Sequence, residues 1–296
     1  MTIRFGTCSW TDPTLLKSGF YPEGVNSPEE RLKYYAGHFD TVEVDSTYYS
    51  IPSEKVAGLW AGERTPEGFT FHIKAYSALT GHPVDTKGIP LPVRDILPKD
   101  SFRERWVRIN DEEALKLCFR MFGSALRPIK DSGNLGVIVF QFPPWFLPKK
   151  KNYDYILKCK EYLPDEKLAI EFRHISWLVG RTKDQTMKFL KDNNLIYISV
   201  DEPQFPTSPP PIAEVTSDIA YIRFHGRNRE NWFKRGIPTV ERYNYLYSKE
   251  ELKEWAGKMK RLEGLAKIIY AMFNNCHGNK AIINAMDLRE MLKETD

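Results

Sequence analysis

The chain of 296 residues is 42% hydrophobic and 13% aromatic, which is enough apolar material for one large core. It has no run of about 20 apolar residues, so the sequence excludes a membrane-spanning helix. Its formal net charge of +4 permits a phosphate-bearing partner but falls far short of the excess typical of a dedicated nucleic-acid coat.

Segments with the pattern of strands alternate with segments that have the pattern of helices along the whole chain. The predicted strands are Ile3–Trp10, Thr41–Tyr48, Thr70–Ala75, Gly136–Phe142, Leu168–Arg173, Ile196–Asp201, Ala220–His225 and Lys267–Asn274. Eight strands, most of them followed by a helical pattern, favour parallel pairing and closure into a barrel. We therefore predict an α/β fold, a (β/α)8 barrel of the TIM type, with residues 1–296 forming a single domain.

Helix start signals and one long connection complete this pattern. Capping boxes mark the beginning of helices at Ser27–Glu30 and Ser248–Glu251. The segment from about 77 to 132, after the third predicted strand, is too long for a simple loop. It predicts an inserted segment that contains a helix over Asp111–Phe122.

The N-terminus and the cysteines favour a cytoplasmic location. Residues 1–6 contain no apolar run ahead of a cleavage site and lead directly into a predicted strand. Cys8, Cys118, Cys159 and Cys276 stand far apart with no CxxC pair, so neither a disulfide framework nor a zinc knuckle is predicted. We expect reduced thiols in the cytosol.

Alternation along each strand sorts the side chains into two faces. The apolar set, expected to face the surrounding helices, is Val42, Val44, Phe71, Ile73, Ile138, Phe140, Ile170, Phe172, Ile198, Val200, Ile222 and Phe224. The opposite set is Glu43, Asp45, His72, Lys74, Gln141, Glu171, Arg173, Ser199, Asp201, Arg223, His225 and Asn274. We expect this second set to point into the barrel or to cluster at its mouth.

The polar set is unusual for a barrel interior, which Val, Ile and Leu normally fill. Each isolated buried charge costs several kcal/mol, so these ions must be paired, hydrated or both. They also lie late in their strands, at the end where barrel active sites are built. The alternative to a functional site is a charge-paired network that only stabilises the barrel.

These residues resemble the YecE-like family, the domain of unknown function numbered 72. The matching stretches are Phe20–Pro22, Val42–Tyr49 with Ile51–Pro52, Phe69–Ala75, Phe140–Pro144, Glu171–His174 with Trp177, Tyr221–Gly226 and Phe273–Asn275. The resemblance implies a TIM-type barrel and supplies no function. Barrels of the xylose-isomerase and AP-endonuclease type look similar, and that analogy suggests nucleic-acid processing. Asp45 departs from the family pattern, which usually has Asn at this position.

Five residues are candidate catalytic groups. Glu43 and Glu171 lie on the second and fifth predicted strands and could divide acid and base roles across the mouth. Asp45 adds a carboxylate beside Glu43, and Lys74 would neutralise these carboxylates in the resting state. An unperturbed histidine titrates near neutrality, so His225 is a candidate for proton transfer, with a structural hydrogen bond as the alternative.

Further residues are candidates for binding the substrate. Arg173 and Arg223 suit a phosphate or carboxylate, which arginine binds bidentately. The loop after the seventh predicted strand interleaves cations with aromatic residues, and such loops often bind phosphate in TIM barrels. A solvated basic loop is the alternative. The candidates are Arg173, Arg223, Tyr48, Gln141, His174, Asp201, Arg227, Trp232, Asn274 and Asn275.

Metal and cofactor signals are weak. No HxH or HExxH pair occurs, and cations crowd the place where a metal ion would bind, so we assign no metal ligands. A divalent metal nevertheless stays open as an alternative. Neither a GxGxxG motif nor a Walker-type loop is present to support a nucleotide cofactor.

Three functions remain open at this point. We favour a hydrolase or lyase that acts on a phosphate-bearing substrate, such as nucleic acid or a sugar phosphate, by acid–base chemistry at the mouth of the barrel. The first alternative is a non-catalytic module that binds nucleic acid or another anion. The second is a glycoside hydrolase, which needs an open groove between two carboxyl groups about 5 to 9.5 Å apart. The sequence identifies no protein partner.

Overall fold

Eight parallel strands close into a barrel in the computed structural model, which describes residues 2–62 and 64–293. The barrel strands are β1 (Thr2–Thr7), β2 (Thr41–Val44), β3 (Thr70–Lys74), β6 (Leu135–Gln141), β7 (Leu168–Glu171), β8 (Ile196–Asp201), β9 (Ile219–Phe224) and β10 (Ile268–Phe273). They pair in this order, and β10 returns to β1. The predicted TIM-type barrel is therefore confirmed.

Helices surround this barrel. They are α1 (Pro13–Leu16), α2 (Pro28–Ala36), α3 (Glu54–Gly58), α4 (Leu91–Arg94), α5 (Glu112–Asp131), α6 (Lys150–Tyr162), α7 (Gly180–Asp192), α8 (Lys249–Lys260) and α9 (Lys280–Lys293). Ser27 and Ser248 form the predicted capping boxes of α2 and α8. The connection from β8 to β9, residues 202–218, is fully described and contains no helix. No helix in the described part of the chain combines the length and apolarity needed to cross a membrane.

The insertion after β3 is present as predicted. It contains a short antiparallel pair, β4 (Val84–Asp85) with β5 (Trp106–Val107), followed by α5. Helix α5 runs past its predicted end at Phe122 because Ala125 and Ile129 continue its buried face. The insertion therefore lies over one side of the barrel mouth.

The barrel interior and the layer between strands and helices form two separate apolar clusters. The interior cluster includes Val139, Ile198, Val200 and Tyr221. Ile198 and Val200 therefore face inward, and the prediction that they face the helices is wrong. Their neighbour Tyr197 belongs to the outer cluster instead.

The reversed orientation of β8 turns Asp201 away from the mouth of the barrel. Its carboxylate accepts hydrogen bonds from Tyr247 Oη at 2.7 Å and from Trp255 Nε1 at 2.6 Å. Arg227 donates to both of its oxygens, from Nε at 2.9 Å and from Nη2 at 2.7 Å. A buried carboxylate with this many donors is satisfied behind the strand, so the expectation that Asp201 points into the barrel or its mouth is wrong. The part of Asp201 and Arg227 in substrate binding stays a prediction.

Replacing Asp201 should destabilise the fold without changing the mouth. We expect Asp201→Ala to lower the free energy of unfolding by about 3 kcal/mol, because it leaves the donors of three side chains around a buried space without their acceptor. Urea unfolding measures this loss. The matched control is Asp192→Ala, whose carboxylate belongs to an exposed pair with Lys188 and should matter by less than about 0.5 kcal/mol. Equal effects of the two substitutions would contradict the assigned role.

Candidate functional site

Polar side chains from the ends of seven barrel strands meet at the C-terminal mouth. We call them the mouth cluster: Glu43, Asp45, Lys74, Gln141, Glu171, Arg173, Glu202, Arg223, His225 and Asn274. The carboxyl ends of parallel strands all point to this face, so the fold itself brings these residues together. Because Glu43, Glu171, Arg223 and His225 have no exposed surface, the floor of the cluster is closed to solvent.

Arg223 lies at the centre of the mouth cluster. Its Nη1 donates to Glu171 Oε2 at 2.5 Å and to Gln141 Oε1 at 3.0 Å. Its Nη2 donates to Glu43 Oε1 at 2.6 Å and lies 4.0 Å from the sulfur of Cys8. One guanidinium thus lies between the two glutamates, and Glu43 and Glu171 do not face each other across open space.

Glu171 is surrounded by hydrogen-bond donors, two of which are arginines. Besides Arg223, its carboxylate accepts from Arg173 Nη1 at 2.8 Å and from His225 Nε2 at 3.1 Å. Burial is the largest single influence and opposes ionisation, but Arg223, His225 and Arg173 together outweigh it and hold the pKa of Glu171 well below its usual range. Glu171 is therefore an ionised carboxylate with no free oxygen.

Glu43 and Asp45 form a pair of carboxyl groups with opposite tendencies. Burial, helped by the neighbouring Asp45, raises the pKa of Glu43 to about 8 although Arg223 acts against it. Burial also opposes ionisation of Asp45, but Lys74 and Arg223 bring the pKa of Asp45 below its usual value. The pair therefore holds one shared proton at neutral pH, and it resides on Glu43.

The two members of this pair differ in access to solvent. The Asp45 side chain is 26% exposed, whereas Glu43 is completely buried. Asp45 begins a short 3₁₀ turn that follows β2 directly, and this turn brings its carboxylate to the rim. Tyr221 Oη donates to Glu43 Oε2 at 2.9 Å and fixes the buried member. A substrate would touch Asp45 first.

His225 does not titrate near neutrality. Burial lowers the pKa of His225 to about 3, although Glu171 acts in the opposite direction. The amide nitrogen of Asn274 lies 2.8 Å from Nδ1, and Nε2 donates to Glu171. A neutral ring fixed at both nitrogens corresponds to the structural hydrogen bond that the sequence left as the alternative.

Two cations form the accessible side of the mouth cluster. The side chains of Lys74 and Arg173 are 10% and 11% exposed. Lys74 Nζ lies 3.5 Å from Asp45 Oδ1 and 5.1 Å from the ring centroid of Tyr48. Burial works against the charge on Lys74, but the neighbouring acidic groups, Asp45 foremost among them, together more than compensate and raise the pKa of Lys74. Arg173 lies under the ring of Trp232, 5.5 Å from its centroid.

Glu202 is a member that the sequence analysis missed. It is 3% exposed, and its Oε2 lies 2.7 Å from Arg173 Nη2. Burial raises the pKa of Glu202 to about 7, although Arg173 lowers it. The sequence signal that could have identified Glu202 is its position two residues after Val200. Because Val200 points into the barrel, alternation along β8 places Glu202 in the mouth.

Two predicted substrate-binding residues make other contacts. His174 caps the 3₁₀ turn after β7, where its Nδ1 accepts from the amide of Ser176. Asn275 donates from Nδ2 to Tyr245 O and to Asn284 Oδ1 on α9. Their part in substrate binding stays a prediction.

Potential metal ligands occur in the mouth cluster, but in the part of the chain that the structure describes they do not form a metal-binding arrangement. Within residues 2–62 and 64–293, no group of three or more His, Cys, Asp or Glu side chains is arranged to hold a metal ion. His72, one of the ligand types present in the barrel, accepts from the amide of Val137 at 3.0 Å. Burial lowers the pKa of His72 to about 3, so it is neutral.

The raised pKa of Glu43 makes stability depend on pH. Folded Glu43 keeps its proton up to about pH 8, whereas the unfolded chain loses it near 4.5. Between these values the folded state binds more protons, so the free energy of unfolding falls as pH rises. Glu43→Gln mimics the protonated acid and should remove this fall. At pH 8 its free energy of unfolding should exceed that of the wild type by about 2 to 4 kcal/mol.

Urea unfolding between about pH 5 and pH 8 measures this difference. Glu54→Gln, at an exposed position on α3, is the control and should keep the wild-type pH dependence. Parallel stability curves for wild type and Glu43→Gln would contradict the protonated state of Glu43.

Comparison with known proteins agrees with the barrel and its motifs. The family model described as "Protein of unknown function DUF72" matches residues 4–296. The UPF0759 protein YunF of Bacillus subtilis (strain 168) is 34% identical over 295 residues, covering 98% of this chain and 94% of that protein.

Two solved structures are also similar. A DUF72 family protein of Enterococcus faecalis V583 has a TM-score of 0.79 at 27% identity, with coverage of 99% of this chain and 96% of that one. A DUF72 family protein of Thermotoga maritima MSB8 has a TM-score of 0.77 at 31% identity, with coverage of 99% and 100%. The resemblance seen in the sequence is thereby confirmed, and the chain belongs to the DUF72 family.

Proposed function

We propose that the protein is an enzyme, a hydrolase or lyase, that acts by acid–base chemistry on a small phosphate-bearing substrate at the mouth cluster. The observation that carries the proposal is the carboxyl pair, in which buried Glu43 is protonated and partly exposed Asp45 is ionised. Environments that separate the pKa values of neighbouring groups are typical of catalytic acids and bases.

The carboxyl pair can transfer protons in either direction. Asp45 can accept a proton from the substrate, because it is ionised and reaches the rim. It can also pass the shared proton of Glu43 to a leaving group and recover it from solvent afterwards. General acid–base catalysis of this kind contributes typically 10²- to 10⁴-fold to the rate.

The charge balance of the mouth favours an anionic substrate. Lys74, Arg173 and Arg223 carry positive charge, while Glu43 is neutral and Asp45 and Glu171 are ionised. Glu202, whose pKa is raised to about 7, is only partly ionised at neutral pH. The two partly exposed cations are those that a phosphate could reach. In this proposal Glu171 positions Arg173 and Arg223 and does not transfer protons, since all its oxygens are occupied.

Two predicted ligand-binding residues of the loop after β9 are used inside the protein. Arg227 is bound by Asp201, and Trp232 is only 8% exposed against Arg173. Arg229, which donates to Gln204 O, and the following Phe233, Lys234 and Arg235 are exposed. In this proposal the substrate therefore binds at the mouth cluster and does not depend on Arg227 or Trp232.

The two alternatives fare differently. A glycoside hydrolase would need space for a sugar between its carboxyl groups, and the guanidinium of Arg223 fills that space. A non-catalytic anion-binding module is favoured by one observation, which is that Glu43 has no exposed surface. In this second candidate the cations would bind the anion, and the carboxyl pair would have no chemical role.

Turnover separates the proposal from the binding module. The purified protein is tested with sugar phosphates, nucleoside monophosphates, and single-stranded and abasic nucleic acid, with and without divalent metal ions. We expect Asp45→Asn to lower kcat by about 10²- to 10⁴-fold while changing binding little. Lys74→Met should weaken binding instead. Salt-sensitive binding without turnover of any substrate would overturn the enzyme and favour the module.

The pH profile is an independent prediction. If the proton on Glu43 is needed, kcat/KM should fall as pH rises through about 8, because the pair then loses its shared proton. Steady-state rates across this range measure the fall. Glu54→Gln should retain it, and a flat profile in the wild type would contradict a role for the carboxyl pair.

A further inference from the structure

A cleft of about 300 Å³ opens beside the mouth cluster, between the turn after β2 and the insertion. The acid–base chemistry proposed above does not use it. Its lining residues are Tyr48, Tyr49, Ser77, Pro83, Asp85 and Trp106. Tyr49 and Trp106 are 62% and 52% exposed, so two large aromatic side chains stay open to solvent here. Flat aromatic walls of this kind suit a flat ring.

The cleft and the mouth cluster share one residue. Tyr48 lines the cleft, and its ring centroid lies 5.1 Å from Lys74 Nζ. A molecule with a ring in the cleft therefore has an anion-binding lysine next to it. Asp45, the exposed member of the carboxyl pair, lies 3.5 Å from the same lysine.

We propose that this cleft binds the base of a mononucleotide whose phosphate lies against Lys74 and Arg173. The inference rests on the proposed function, since it places the substrate's anion at the same cations. It goes further by assigning a ring subsite and a class of substrate, the nucleoside monophosphates.

The walls favour a base over a sugar. Only two of the lining side chains, Ser77 and Asp85, are polar beyond the tyrosine hydroxyls, so most hydroxyls of a sugar would lose their hydrogen bonds on entering. A base carries its polar atoms on its edge and leaves its faces apolar for stacking. Asp85 accepts from Lys87 N and Arg105 Nε, one bond on each oxygen, and each oxygen keeps capacity for an amino group on that edge.

A cation strengthens one wall of the cleft. The guanidinium carbon of Arg105 lies 5.3 Å from the ring centroid of Trp106. The same guanidinium is ion-paired with Asp85, with 2.9 Å between Nε and Oδ2. The indole is therefore held between an ion pair and the open cleft. Adenine, which has an exocyclic amino group and a wide stacking face, is the base that this arrangement suits.

Calorimetric titration of the full chain with four probes tests the inference. The probes are AMP, ribose 5-phosphate, adenosine and inorganic phosphate. We expect AMP to bind at least about ten-fold more tightly than ribose 5-phosphate, since stacking supplies the difference. Trp106→Ala should remove this preference and leave the affinity for ribose 5-phosphate unchanged.

Phe233→Ala is the matched control, because Phe233 is an equally exposed aromatic residue on the loop after β9 and does not line the cleft. It should keep the preference for AMP. Thermal unfolding of both variants shows whether each is folded, and the exposure of both side chains predicts that they are.

The outcomes separate the two proposals. Equal affinity for AMP and ribose 5-phosphate, both weakened by Lys74→Met, would overturn the base subsite and leave the proposed function standing. Binding of adenosine that depends on Trp106, without any contribution from phosphate or Lys74, would support the cleft and overturn the phosphate site. Failure of all four probes to bind would overturn the mononucleotide subsite, whereas the proposed function is overturned only if the turnover assay also finds no substrate.

Discussion

A guanidinium that is completely removed from water needs acceptors for its donors, and the two terminal nitrogens of Arg223 obtain them from strands that lie far apart in the sequence. Glu43 comes from β2, Gln141 from β6 and Glu171 from β7, while Arg223 itself is the penultimate residue of β9. Desolvation of such an ion costs several kcal/mol, and only well-placed charged acceptors offset it. The rest of the mouth follows from this requirement, because Glu171 then orients Arg173 and His225 as well.

This constraint divides the mouth into a fixed floor and a reactive rim. The floor consists of buried groups whose hydrogen bonds are used by one another, so it resists rearrangement. The rim consists of Asp45, Lys74 and Arg173, which are each partly exposed and face the solvent side. The charged residues in the barrel interior are thus not uniform in their surroundings. Part of the set supports the structure, and part remains available for chemistry.

Alternation of polar and apolar residues predicted correctly which side chains face the helices and which face the mouth on most of the barrel strands. It failed for β8, where both faces are buried and Tyr197 and Asp201 turn outward to meet the helices. The sequence pattern cannot orient a strand whose outer face carries a buried, ion-paired residue such as Asp201, because that residue looks like a polar residue that points into the barrel. The same error hid Glu202. The neutral state of His225 also depends on burial and on partners from other strands, which a single sequence does not show.

Cys8 directly follows β1, with its sulfur 4.0 Å from Arg223 Nη2, and this position has a consequence for chemical labelling. Burial, together with the nearby Glu43, raises the pKa of this thiol well above its ordinary value. Alkylating reagents attack the thiolate, so the folded barrel should protect Cys8 both by access and by protonation. The rate at which Cys8 is modified therefore measures how often the floor of the mouth opens to solvent.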